Sequence, residues 1–309
     1  MEEDELSQCR ALYYVGFYDM CIARCGVTHV TGTLAQQEKE GMLYACRLMQ
    51  NRQTHGKVDP SEIQAMSASP NPFLRSLAVY MQFLATASPQ EQLTLYHQLR
   101  ALMQEQGNTF SVFFAASAAA ALGNFSDALQ FASQLQLLEM RVLKLQILLL
   151  MNRGDLAEEE ARQVAAQNDD APLSKLATAL VDTLGGSPQE AYLCLGDIEM
   201  LCQTPGLPCV SPLLLNGKAA ANIQRREWNT ALEDALKAFQ QAPQDCDTLV
   251  NLICCCRNMK KHQEADFYVE RLSAVAPSHP MVVKMRELHA VFANAGVPQN
   301  ASPSAAVSF

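Results

Sequence analysis

The chain has 309 residues, of which 49% are hydrophobic and only 18% charged, so it can form an extensive core and is not a disordered polymer. Its 32 acidic and 23 basic residues give a formal net charge of −9. Because the basic residues cluster only in pairs, nucleic acid and anionic membranes are poor electrostatic partners. Length alone permits two ordinary domains or one elongated array of repeats.

The acidic start of the chain, residues 1–6, has neither the pattern of a secretion signal nor that of an Arg-rich transit peptide. The most apolar stretches, 110–122 and 142–151, are too short or too interrupted to cross a bilayer core of roughly 30 Å. We therefore expect a cytoplasmic protein that does not span a membrane.

The eleven cysteines are odd in number and scattered within helical patterns, which favours reduced, buried thiols over disulfides. Residues 254–256 are three consecutive cysteines, but neighbours on a helix point about 100° apart and do not converge on one ion. The sequence therefore predicts no metal site.

Helical periodicity fills the chain, and turn signals divide it into short helices. Near the N-terminus, Gly16-x-Tyr18-x-x-Cys21 combines a turn, a large ring and a small residue. Further turns are expected at Arg52 to Val58 and at Ser88 to Leu93. Gly123-x-Phe125-x-x-Ala128 then repeats the first pattern. These spacings predict antiparallel helix pairs.

A 34-residue period appears where 212–244 is aligned with 246–278, and the same offset joins Ala157 to Ala191. This period is typical of tetratricopeptide repeats. A small residue lets the second helix approach the first, and a proline ends the unit. Elsewhere the spacing is irregular, and an inserted loop is expected at Thr204 to Pro208. The structural repeat positions are Ala128, Ala157, Ala191, Trp228, Ala231, Pro243, Ala265 and Pro277.

These features predict an all-α fold, a tetratricopeptide-like right-handed α-solenoid of antiparallel helix pairs over 1–293. Residues 294–309 lose all periodicity and gain turn formers, so we expect a flexible C-terminal tail.

The chain lacks the usual marks of catalysis. It has no phosphate-binding glycine loop, no Gly-x-Ser-x-Gly and no His-Glu-x-x-His, and its six histidines are spread out. We predict no enzyme activity, no cofactor, no metal and no small-molecule substrate. An enzyme of helical-repeat fold, such as the helical subunit of a prenyltransferase, would need signature repeats that are missing.

In a tetratricopeptide array the first helix of each unit lines the concave surface, and its groove-facing positions are apolar here. The register leaves two interpretations open: an exposed groove that a long-lived partner fills, or a shift by one position that makes the same residues core. The predicted partner groove consists of Phe110, Phe113, Val142, Leu149, Leu173, Leu176, Leu180, Leu213, Asn216 and Ile223.

A second class of function is a soluble adaptor of the co-chaperone type, which clamps the C-terminal carboxylate of a short peptide with Lys and Asn. Lys218 and Asn222 have a suitable spacing of four residues, but they fall at positions 7 and 11 of the repeat, not at 5 and 9. The sequence therefore gives this alternative less support.

The chain contains six ordered segments that recur in a known family: Leu143 to Ala157, Leu173 to Leu180, Ser211 to Ala220, Trp228 to Ala231, Asp247 to Ile253 and Ser278 to Pro280. Together they resemble the epsilon subunit family of coatomer, the coat of Golgi-derived transport vesicles. The resemblance is best over about 140–292.

The resemblance implies a structural subunit that curls around a projecting element of the coatomer alpha subunit. Golgi-to-ER retrograde and intra-Golgi transport would be its setting. It would meet the other coatomer subunits through alpha, and an Arf-type GTPase and the Golgi membrane only indirectly.

Overall fold

The computed structural model describes residues 5–56, 58–86, 88–203 and 211–294, and every regular element in these ranges is an α-helix. The first eight are α1 (Ser7–Tyr14), α2 (Tyr18–Val27), α3 (Thr33–His55), α4 (Pro60–Ser67), α5 (Pro72–Ala85), α6 (Pro89–Gln106), α7 (Thr109–Ala121) and α8 (Phe125–Ala132). The others are α9 (Leu138–Leu150), α10 (Gly154–Gln167), α11 (Pro172–Gly185), α12 (Pro188–Cys202), α13 (Pro212–Gln224), α14 (Trp228–Gln241), α15 (Cys246–Asn258), α16 (His262–Val275) and α17 (Pro280–Asn294).

The helices form a tetratricopeptide-like solenoid, as the sequence predicts. The first helices of the units, α3, α5, α7, α9 and α11, pack in order against one another, as do α13 and α15. The second helices α6, α8, α10, α12 and α14 each pack against the helix before and the helix after them, for example α14 between α13 and α15, whereas α4 packs mainly against α5. None of the described helices combines the length and apolar character required to cross a bilayer.

The two C-terminal repeats match the expected period in detail. The pairs α13/α15 and α14/α16 have equal lengths and are offset by 34 residues. Pro243 and Pro277 lie just beyond α14 and α16, and half-buried Trp228 begins α14. The small residues are each the fourth residue of a second helix and have 0% exposure: Ala128, Ala157, Ala191, Ala231 and Ala265.

One turn recurs between the helices of a pair. Two residues before each of six second helices, a residue adopts positive φ and its N–H bonds back into the preceding helix, which closes the C-terminus of that helix. Glycine supplies this conformation at Gly16, Gly123 and Gly186, but Arg226 and Lys260 adopt it with φ of 61° each. A residue with a Cβ is strained there.

The structure corrects two turn predictions. The segment Arg52 to Val58 begins within a helix, because α3 continues to His55 and ends at Gly56 with φ of 75°. The turn predicted at Ser88 to Leu93 lies earlier, because Ser88 caps α6, which starts at Pro89. The loop expected at 204–208 lies outside the described residues. So does the predicted tail, except Asn294, which ends α17.

The N-terminal half has an aromatic core. Phe73, Phe110 and Phe114 have 0–2% exposure, and the Phe73 and Phe110 rings meet edge to face with centroids 5.6 Å apart. Because α7 contributes eight buried residues around its circumference, it lies at the centre of this core.

Candidate functional site

The predicted partner groove follows the first helices α7, α9, α11 and α13, but the structure leaves little of it open. Only Leu213 is exposed, at 43%. The half-buried members are Phe113, Leu149, Leu180 and Ile223. Those with exposures of 0–9% are Phe110, Val142, Leu173, Leu176 and Asn216. At these five positions the burial agrees with the second interpretation, in which the residues belong to the core. Contact of the ten residues with a partner stays a prediction.

The cover over the apolar residues is the chain's own N-terminal segment. Helix α1 packs against α9 and α11 as well as against α2 and α3. The Tyr14 ring lies 4.6 Å from that of Phe113, and Tyr13 stacks on Phe110 with centroids 6.1 Å apart. Val15, Phe17 and Met20 belong to the same buried cluster as these helices' apolar residues. The segment 10–20 therefore fills part of the predicted groove.

Two polar contacts close the array on itself. The Ser211 hydroxyl donates to the carbonyl of Val15 at 2.7 Å, across 196 residues of sequence. Gly16 lies so close that a Cβ added there would be 2.9 Å from the Ser211 Oγ. Farther along the interface, the Gln244 N–H donates to the carbonyl of Gln53 at 3.3 Å. We call the contact of Val15 and Gly16 with Ser211 the clasp.

A buried ion cluster holds α1 in place. The Arg10 guanidinium lies 2.8 Å from Oε1 of Glu38 on α3 and 3.2 Å from Oε1 of Glu139 on α9, and the three side chains have 6–10% exposure. The Thr109 hydroxyl also donates to Glu38 at 3.1 Å. Burial raises the pKa of Glu139, and Arg10 opposes that shift. The single guanidinium of Arg10 therefore forms ion pairs with the carboxylates of both Glu38 and Glu139.

The sequence interpretation missed this cluster, although a signal was present. Arg10 stands in α1 beside Cys9 and Tyr13, and Glu139 stands in α9 between Leu138 and Met140. A charged side chain on the apolar stripe of a helix is rarely buried without a partner.

The cysteines are free thiols in the described part of the chain. Cys9, Cys21, Cys25 and Cys46 are all buried where α1, α2 and α3 meet. A hydrogen bond with Cys21, together with burial, raises the pKa of Cys25 to about 12, so this thiol stays protonated. Among the described residues no three His, Cys, Asp or Glu side chains are arranged to hold a metal ion.

Lys218 and Asn222 do not form a peptide clamp. Lys218 is buried and its Nζ lies 2.6 Å from Oε2 of Glu199. Asn222 is fully buried and donates to Asp234 at 3.3 Å. Asn216, predicted to face a partner, instead donates to Asp245 and Thr248 at 2.9 Å each. These side chains join neighbouring helices and are not available to a peptide.

The paired helices and their 34-residue period define a helical-repeat protein of the tetratricopeptide-like class. Among solved structures, the Cut9–Hcn1 hetero-tetramer of APC/C has a similar fold, with a TM-score of 0.57 at 12% identity over 91% of this chain. The chain spans 55% of the length of that solved chain.

Residues 2–297 match the family described as coatomer epsilon subunit, and the chain belongs to this family. Coatomer subunit epsilon-2 of Oryza sativa subsp. indica is 28% identical over 91% of this chain and 93% of its own length. The epsilon subunit of Caenorhabditis elegans is 24% identical over 94% and 96%. The chain is thus a structural component of a vesicle coat, which it forms with other coatomer subunits.

Proposed function

We propose that the chain is a non-catalytic scaffold subunit that binds and stabilises the coatomer alpha subunit through its concave face. Its setting is Golgi-to-ER retrograde and intra-Golgi transport. It acts in the cytoplasm and reaches Golgi membranes and an Arf-type GTPase through its partners. It uses no cofactor, nucleic acid or small-molecule substrate.

The observation that supports this proposal is the apolar row along α7, α9, α11 and α13. Coatomer family membership makes the partner another coat subunit. Since α1 covers part of the row, the alpha subunit is expected to contact the edge that stays accessible, at Leu149, Leu180 and exposed Leu213. Apolar side chains at such an edge gain binding energy when a partner removes them from water.

The test is the affinity of the purified full-length chain for the alpha subunit. Leu213→Asp and Leu180→Asp place a charge in the proposed interface, and each is expected to weaken binding at least about tenfold. Leu236→Asp, on an exposed position of α14, is the matched control and should bind like the unmodified chain. Equal affinities for all variants would contradict the proposal.

A further inference from the structure

A groove runs along the outer side of the N-terminal half, between the second helices α4 and α6. Helix α5 packs against both of them and forms the floor. Helix α4 has 8 residues and α6 has 18, so α4 extends along only part of the length of α6. Two cavities, of about 560 and 320 Å³, are lined by the same three helices. They form one groove alongside α5.

One face of α6 lines this groove and is separate from the face that packs in the core. Its buried residues Tyr96, Leu99 and Met103 supply the core. The groove is instead lined by residues that recur every three or four positions on another side of α6: Glu91, Leu95, Gln98, Leu102 and Glu105. This spacing is that of a helix–helix seam. At 1.5 Å per residue the face extends about 21 Å, the length of about four helical turns.

Half-buried aliphatic side chains of α4 and α5 line the opposite side of the groove. Ile63 of α4 and Val79 of α5 line it opposite Leu95 and Leu102. Polar side chains stand between them and at the rim. A surface with aliphatic residues inside and polar residues outside suits the apolar stripe of an amphipathic helix.

Arg75 marks one end of the groove and has no hydrogen-bond or ion-pair partner among the residues that the structure describes. Its Nε is buried, yet it makes no hydrogen bond to any described residue, and its guanidinium forms no ion pair with them. The side chain lines the smaller cavity beside Val79. Buried donors are almost always paired in native proteins. The acceptor that matches a guanidinium best is a carboxylate.

We propose that this groove binds an amphipathic helix of about four turns from another coatomer subunit. The aliphatic stripe of that helix packs on Leu95 and Leu102, and an Asp or Glu side chain pairs with Arg75. Membership of a multi-subunit coat supplies the class of partner, and the unpaired guanidinium supplies the charge. The inference does not depend on binding of alpha at the concave face.

Site-specific cross-linking in coatomer reconstituted with the full-length chain tests the proposal. A photoreactive benzoylphenylalanine at position 102 replaces Leu102, and the linked peptide is identified by mass spectrometry. We expect one segment of another subunit, with helical apolar periodicity and an acidic residue. Arg75→Ala should lower the yield of this product at least about tenfold, the loss expected for a charged hydrogen bond. Arg75→Lys, which keeps the charge, should retain part of it.

Arg162→Ala is the control, because the Arg162 side chain is 72% exposed on α10, where it pairs with Glu159 and donates to the Glu158 carbonyl at the surface. It should leave the yield unchanged. Thermal unfolding of Arg75→Ala should match the unmodified chain, since no internal ion pair is lost. A product with residues 295–309 of the same chain, no product with another subunit, or a yield insensitive to Arg75→Ala would each overturn the proposal. Recovery of alpha from the same samples tests the concave face separately.

Discussion

The two C-terminal repeats, α13 to α16, and the N-terminal segment, α1 to α3, are held by different kinds of contact. In the repeats, small buried alanines bring the two helices of a unit together, and the bonds of Asn216 to Asp245 and Thr248 join one unit to the next. In the N-terminal segment, Arg10 reaches α3 and α9, and the clasp reaches α13. Contacts between adjacent repeats join residues at positions that recur with the 34-residue period. The long-range contacts of Arg10 and the clasp join residues whose separation is unrelated to that period.

The largest expected effect comes from removing the ion cluster of the N-terminal segment. Arg10→Ala leaves the buried carboxylates of Glu38 and Glu139 without their cation, and should lower the free energy of unfolding by about 3–5 kcal/mol. Urea denaturation measures this loss. Arg153→Ala removes an exposed pair with Asp155 and should change stability little. Similar urea midpoints for Arg10→Ala and Arg153→Ala would contradict the proposal that the ion cluster holds α1 against α3 and α9.

Overpacking a repeat should cost somewhat less. Ala231 is fully buried between α13 and α14, so Ala231→Trp forces these helices apart and should destabilise the chain by roughly 1–3 kcal/mol or more. Leu236→Trp enlarges an exposed side chain of the same helix as a control. A melting temperature of Ala231→Trp equal to that of the unmodified chain would refute the close approach of the two helices.

The ion cluster that joins α1 to α9 should make stability depend on pH through Glu139. The pKa of Glu139 is raised in the folded state by burial, so folding favours its protonated form. This contribution to stability is complete below the unfolded pKa of about 4.3 and is lost as pH rises through the raised value. Glu139→Gln should remove that loss, so its stability relative to the unmodified chain should increase as pH rises from about 4.3 through the raised folded-state pKa. Denaturation at several pH values measures the difference, and parallel profiles would contradict it.

The smallest expected effect is a gain in stability at a repeat turn. Arg226 has a φ of 61°, and glycine adopts this conformation without steric cost. Arg226→Gly should stabilise the chain by about 0.5–1 kcal/mol, after the larger entropy of its unfolded state is counted. Arg225→Gly is the control, because Arg225 has a helical φ of −73° and gains nothing from glycine. A loss of stability in both variants would contradict strain at Arg226.

The sequence predicted the parts of the fold that repeat. The helix pairs are identified by the repeated positions Ala231 and Ala265, and Pro243 and Pro277. These positions recur because the two helices pack together in the same way in each unit. The groove residues were harder to interpret. Their period predicted a common face along successive first helices, but no period indicates that residues 10–20 pack into the same buried clusters as Phe110 and Leu176.

The same limit applies to the polar contacts. The sequence separations that join Arg10 to Glu139, and Val15 to Ser211, are not multiples of the 34-residue period. Arg75 could not be recognised from the sequence either. Its Nε can be seen to lack a hydrogen-bond partner among the described residues only when the positions of the surrounding helices are known.

The clasp changes how the array is expected to unfold. In an open solenoid each end frays separately, since a terminal unit has one neighbour. Here the N-terminal segment also rests on α9, α11 and the start of α13, so its release exposes the middle of the array and weakens several units at once. Because Ser211 is made long after Val15 during synthesis, the clasp itself forms only when about two thirds of the chain has been translated.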